Sequence, residues 1–144
     1  MISPLIERLI RDLAYPQLTA ENLEAVTGRG TWMLFFTGDP KAVPESNDVA
    51  VVLPELVRAF PGRFSVAVVA REAETDLQRR YGFQRWPTLV LLRDGQYLGA
   101  LSGMQDWDVY QREIARLLDG TPRRAPTIGI PVVGNDRGAC GSRL

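Results

Sequence analysis

The stretch Tyr81–Gly103, YGFQRWPTLVLLRDGQYLGALSG, leaves this chain few ways to fold. It holds two extended runs, Thr88–Arg93 and Gln96–Leu101, separated only by Asp94-Gly95. A two-residue connection joins antiparallel neighbours, and Asp-Gly supplies the positive φ that the favoured tight turns require. Pro87 stands just before the first run. There its missing N–H costs no ladder bond, and its ring biases Trp86 towards extended geometry. A hairpin with a proline at its root is the fixed point against which the rest of the chain must pack.

Two further runs read as strands. Thr31–Thr37 (TWMLFFT) is continuously apolar between Gly30 and Gly38, too short for a buried helix and fit for a strand covered on both faces. Phe64–Ala70 (FSVAVVA) reads the same way, and Tyr15–Leu18 offers a short extended piece. Helical spacing fills the intervals. Pro4–Leu13 places Leu5, Ile6, Leu9, Ile10 and Leu13 on one face, with Ser3 as cap and Pro4 at the first position. A second helix starts near Thr19, turns Leu23 and Val26 inward and ends at Gly28. Val49–Phe60 is a third, with Pro54 inside it, which predicts a kink or a delayed start. Arg71–Tyr81 is polar, with Leu77 and Tyr81 inward. Asp106–Asp119 carries Trp107, Tyr110, Ile114, Leu117 and Leu118 on one face. This order, βαβ followed by ββα, gives an α/β fold: a three-layer sandwich with a central mixed β-sheet flanked by helices. The expected organisation is a single domain over residues 1–120 with an extra N-terminal helix. A Pro/Gly/Arg-rich tail over 121–144 follows, containing a short apolar cluster (Ile128, Ile130, Val132, Val133) and Cys140.

Composition removes several chemistries. The chain has no histidine, which excludes His-based acid–base catalysis, a Ser-His-Asp triad and His-ligated metals. Its one cysteine, Cys140, cannot form an intrachain disulfide or a CxxC pair. A net charge of zero argues against nucleic acid as a partner. No apolar run approaches membrane-spanning length, so direct membrane insertion is not expected. The N-terminus MISPLIERLIRDL places acids among its apolar residues, unlike a signal peptide. The expected localisation is cytoplasmic, and no cofactor is expected.

The element order and the WPT motif resemble the thioredoxin fold over Leu18–Gly120. In that fold a buried strand leads into a CxxC loop at a helix N-terminus, opposite a cis-proline loop. Here the corresponding loop, Gly38–Asp48 (GDPKAVPESND), has no cysteine. Thiol–disulfide exchange needs a thiolate, so the resemblance implies the architecture without the redox centre. A tighter resemblance, over about Leu5–Gly120, is to hydrogenase expression/formation proteins of the HyaE/HupG type, a cysteine-free thioredoxin-like family. It is carried by PQLTAENLEAV, WMLFFTGDP, LPELVRAFPGRFSVAVVA and YGFQRWPTLVLLRDGQYLGALSGMQDW. That resemblance implies a non-catalytic chaperone for maturation of a membrane-bound [NiFe] hydrogenase. Its implied partner is the small-subunit precursor, bound through its twin-arginine signal region, with other hydrogenase maturation proteins as further partners. The alternatives are a thioredoxin-like oxidoreductase using other residues, or a structural subunit of a larger assembly.

Two places are candidate peptide or partner contacts. At Trp86, Pro87 and Thr88 the resemblance implies a cis-proline loop able to hold an extended peptide by main-chain hydrogen bonds; the rival role is a turn that sets the start of the strand. In the Gly38–Asp48 loop, Asp39, Glu45 and Asp48 outnumber Lys41, a balance suited to a basic peptide. The rival there is a solvated loop in which Ser46, Asn47 or Asp48 caps the next helix. Phe83 is a candidate groove floor, Trp32 is expected to be partly exposed, and Phe35, Phe36, Trp107 and Tyr110 are expected in the core.

Overall fold

A computed structural model of the chain describes residues 3–39 and 41–126. The elements run α1 (Pro4–Arg11), β1 (Gln17–Leu18), α2 (Leu23–Thr27), β2 (Thr31–Phe36), α3 (Glu45–Ala59) and β3 (Ser65–Val69). A 3-10 turn (Arg71–Ala73) then leads into α4 (Glu74–Tyr81), β4 (Thr88–Arg93), β5 (Gln96–Ser102) and α5 (Trp107–Asp119). The sheet order is β1-β3-β2-β4-β5. β3 is parallel to β1 and β2, whereas β4 is antiparallel to β2 and β5. This is the mixed sheet of a thioredoxin-like α/β fold.

Alternation along the central strands divides the core in two. Met33, Phe35, Val66, Val68, Leu89 and Leu91 pack towards α1, α3 and α5. Leu34, Phe36, Ala67, Val69, Val90 and Leu92 face the side covered by α2 and α4. The central strands are thus apolar along their middles, Met33–Phe36, Val66–Val69 and Leu89–Leu92, because both faces are covered there. The hairpin turn forms as the sequence requires, with φ of 51° at Asp94 and 80° at Gly95. Ser3 caps α1, its Oγ accepting from the N–H of Ile6 at 3.2 Å. Thr19 and Asn22 bond reciprocally ahead of α2, Thr19 N–H to Asn22 Oδ1 at 2.8 Å and Asn22 N–H to Thr19 Oγ1 at 3.2 Å. Helical hydrogen bonding therefore begins at Leu23, later than Thr19.

α3 departs from expectation at its start. It begins at Glu45, not Val49, so Glu45 to Asp48 are its first turn and not a loop, and none of Ser46, Asn47 and Asp48 is the cap. Pro44 occupies the cap position with φ −59°, a value its ring imposes and a helix uses. Glu45 and Asp48 then lie where the helix dipole favours negative charge. Ser46 is fully buried, its hydroxyl donating to the carbonyl of Thr37. Pro54 does not delay the helix, which continues through it to Ala59. Trp107 also departs: it is the first residue of α5 and 42% exposed, while Tyr110 is buried as expected.

After α5 the chain turns back along the open edge of β5. The N–H of Arg123 donates to Tyr97 O at 2.8 Å. Pro126 O lies so close to Gly82 that a Cβ there would come within 1.8 Å of it. Only glycine, which also takes the left-handed φ of 73° ending α4, permits that approach. The apolar cluster of the tail and Cys140 lie outside the described residues. No helix among the described residues is long and apolar enough to cross a membrane.

Candidate functional site

Strand register assembles the site from three remote segments. Phe36 pairs with Thr88 and Thr88 with Ser102, all at one end of the sheet. Thr37 to Asp39 therefore leave β2 beside the point where Trp86-Pro87 enters β4, and Gly103 leaves β5 on the other side. The Trp86–Pro87 peptide is cis. The N–H of Gly103 donates to Pro87 O at 2.7 Å, and the hydroxyls of Thr88 and Ser102 share a hydrogen bond of 2.9 Å. Among the described residues, neither the N–H nor the C=O of Trp86 is engaged in these bonds.

The indole of Trp86 is half-buried. It meets Phe83 edge-on, centroids 5.1 Å apart, and Phe36 at 6.3 Å. Gly38 lies against it with φ 67°; a Cβ at that position would sit 3.2 Å from the indole Cε3. Trp86 also lines a cavity of about 310 Å³, with Gly38, Asp39, Val43, Arg71, Glu74 and others.

Glu74 forms the back of that cavity. It is 4% exposed; its Oε2 accepts from Gly38 N–H at 3.0 Å and lies 3.5 Å from the Thr37 hydroxyl, which donates to Gly38 O at 2.8 Å. Its Oε1 meets Arg71 Nε at 2.8 Å. Burial pushes the Glu74 carboxyl above its ordinary range; the Gly38 hydrogen bond, the Arg71 charge and the Thr37 hydrogen bond oppose the shift without cancelling it. One buried carboxylate thus fixes the chain just after β2 to the start of α4. Asp39 is exposed at the cavity rim, its Oδ1 accepting from Lys41 N–H at 3.0 Å.

Among the expected site residues, Trp86 and Asp39 line the same cavity. Pro87 and Thr88 are buried beside it, and the Thr88 hydroxyl is used internally, donating to Arg85 O and bonding to Ser102. Glu45 and Asp48 are exposed on the first turn of α3 and do not line the cavity. Phe83, 6% exposed, supports Trp86 from below. Sequence reading passed over Glu74 and Arg71. The signal for Glu74 was its spacing: 74, 77 and 81 fall on one helical face, so it shares the inward side of Leu77 and Tyr81. No group of three carboxylates or thiols able to hold a metal occurs among the described residues.

The family model for "Hydrogenase-1 expression protein HyaE" matches residues 5–110. The HoxO hydrogenase expression/formation protein of Cupriavidus necator is 44% identical over 135 residues, covering 92% of this chain and 84% of that protein. HoxO of Azotobacter vinelandii is 46% identical over 139 residues, covering 96% and 92%. A crystal structure of a chain named as hydrogenase expression/formation protein HupG, from Rhodopseudomonas palustris CGA009, is 37% identical. It aligns with a TM-score of 0.52 over 72% of this chain and 94% of that one.

Proposed function

This chain belongs to the HyaE/HupG/HoxO family of hydrogenase expression/formation proteins, and from that premise we propose that it is a non-catalytic chaperone of hydrogenase maturation. It holds the precursor of the hydrogenase small subunit by its basic signal region, in the cytoplasm, before export. The observation that carries this reading is the cavity that Asp39 and Trp86 line together. A guanidinium is the natural occupant of such a pair, since it bonds a carboxylate and stacks on an aromatic face. The main-chain groups of Trp86, unpaired among the described residues, suit an extended peptide laid beside the corner. The segment Gly38–Asp48 has no cysteine and the chain no histidine, so binding, not turnover, is the role left to the site.

Titration of the full chain with a synthetic twin-arginine signal peptide, followed by tryptophan fluorescence and calorimetry, tests this. Trp86→Ala and Asp39→Lys are each expected to weaken binding at least about tenfold with circular dichroism unchanged. Undiminished affinity in both variants would remove the site. Co-purification of the small-subunit precursor with the wild-type chain, lost in both variants, extends the test to the native partner.

A further inference from the structure

We propose that Met104 and Trp107 form the apolar half of this same site. The peptide then crosses the corner in a fixed order, with its basic residues in the Asp39 cavity and the apolar segment that follows them on Met104 and Trp107. This inference rests on the peptide-binding reading above and adds the chemistry and polarity of the bound segment.

Among the described residues only four large apolar side chains are exposed: Leu5, Val51, Met104 at 40% and Trp107 at 42%. Singly scattered apolar residues on a surface need no explanation. Met104 and Trp107 are not scattered. They lie three residues apart, Met104 in the connection after β5 and Trp107 at the first residue of α5, and Gly103 ties that connection to the corner. Gly103 N–H is fixed to Pro87 O, and the Tyr110 hydroxyl donates to Gly103 O at 3.2 Å while lying 3.7 Å from Met104 Sδ. Buried Tyr110 thus fixes the backbone that presents Met104. Trp107 could have faced inward by the helical pattern, yet it begins the helix and remains in solvent.

Charge at one side and apolar exposure at the other give the order. On the cavity side, Asp39 and Glu74 outnumber Arg71. On the other side of Pro87, the guanidinium of Arg85 stands 3.3 Å from the place a Cβ on Gly103 would take. Asp106 and Asp108 flank Trp107 and offset Arg85 there, so a basic segment is drawn to Asp39 on the first side, and it is the exposed apolar surface that marks the second. A segment that is basic and then apolar over roughly 7–15 residues is the composition of an export signal's leading and central regions. Laid with its charges at Asp39, it brings its apolar part over Met104 and Trp107. A flexible thioether and a large indole suit apolar sequences of varied shape.

Two synthetic peptides test this by fluorescence anisotropy on the full chain: the basic leading segment of the small-subunit signal alone, and the same segment continued through its apolar region. The longer peptide is expected to bind wild type on the order of tenfold more tightly. In Met104→Ser/Trp107→Ser that advantage is expected to vanish while the short peptide binds as before, and Met104→Leu/Trp107→Phe is expected to restore it. Asp39→Lys is expected to weaken both peptides and keep their ratio. If the longer peptide keeps its advantage in the serine variant, or both peptides weaken there equally, the apolar half is wrong while the basic site stands. If Asp39→Lys and Trp86→Ala leave both peptides unaffected, or neither peptide binds wild type, the basic site fails and this inference with it.

Discussion

The two ends of the sheet are built from similar pieces and finished differently. At the hairpin end, Asp94 and Gly30 exchange bonds, Asp94 N–H to Gly30 O and Gly30 N–H to Asp94 Oδ1, both at 2.8 Å. Arg93 reaches across to the last carbonyls of α5, bonding Gly120 O at 2.9 Å and also Leu118 O. Trp32 gives its indole N–H to Arg29 O at 3.0 Å. The polar groups there are spent on closing the structure. At the corner end, the charge that closes the structure is placed behind the surface, in Glu74, while Asp39, Met104, Trp107 and one side of Trp86 remain in solvent. A sheet end kept open must be braced from within, and a buried carboxylate held by the Gly38 N–H and the Arg71 guanidinium is that brace.

Removing the brace is the largest expected break in this contrast. Glu74→Ala leaves Gly38 N–H buried without its acceptor, while the Thr37 hydroxyl keeps Gly38 O at 2.8 Å, and is expected to destabilise by about 1–3 kcal/mol in urea unfolding. Its counterpart, Asp94→Ala, removes one bond at an exposed turn where water can replace it, and about 0.5–1 kcal/mol is expected. Equal losses would show that the two ends are braced alike. Between these in size fall the glycines. Gly38→Ala and Gly95→Ala each force alanine into left-handed backbone, costing about 1–2 kcal/mol. The Gly38 variant alone also presses a methyl on the indole, so its tryptophan emission is expected to shift. Around Gly95 the nearest atom lies at 3.8 Å, and emission there is expected to stay as in wild type.

The same contrast explains what could be read from the residues. The hairpin was legible because its cause is local: Asp94-Gly95 sets the turn and the flanking runs set the strands. The corner is non-local. Gly38, Trp86 and Gly103 meet through the register of β2, β4 and β5, and no window of sequence contains all three. Trp86 was found because it precedes a proline. Glu74 was hidden because a charged residue in a polar helix reads as solvated, although its spacing from Leu77 and Tyr81 placed it inward. The start of α3 was misplaced because GDPKAVPESND has loop composition, whereas Pro44 together with acids in the first turn is a helix start. Trp107 was drawn into the core by periodicity, which ends at the first residue of a helix.

The smallest expected effect is the most specific to Glu74. Its carboxyl is raised above the ordinary 4.5 because burial disfavours the charged form. Between 4.5 and that raised value the folded chain holds a proton that the unfolded chain releases, so stability contributed by this group falls as pH rises through the interval. Glu113 behaves oppositely: its carboxyl is lowered, first by its hydrogen bond with Arg116, so its contribution is lost as pH falls. In the difference between wild type and Glu74→Gln, every carboxylate common to both cancels. The unfolding free energy of wild type minus that of the variant is therefore expected to decline with rising pH from 4.5 and then level off. Chemical denaturation at a series of pH values measures it. A flat difference would mean that Glu74 titrates alike in folded and unfolded chains, and a rising one that its hydrogen bonds outweigh its burial. Either would make the corner as ordinary electrostatically as the hairpin end.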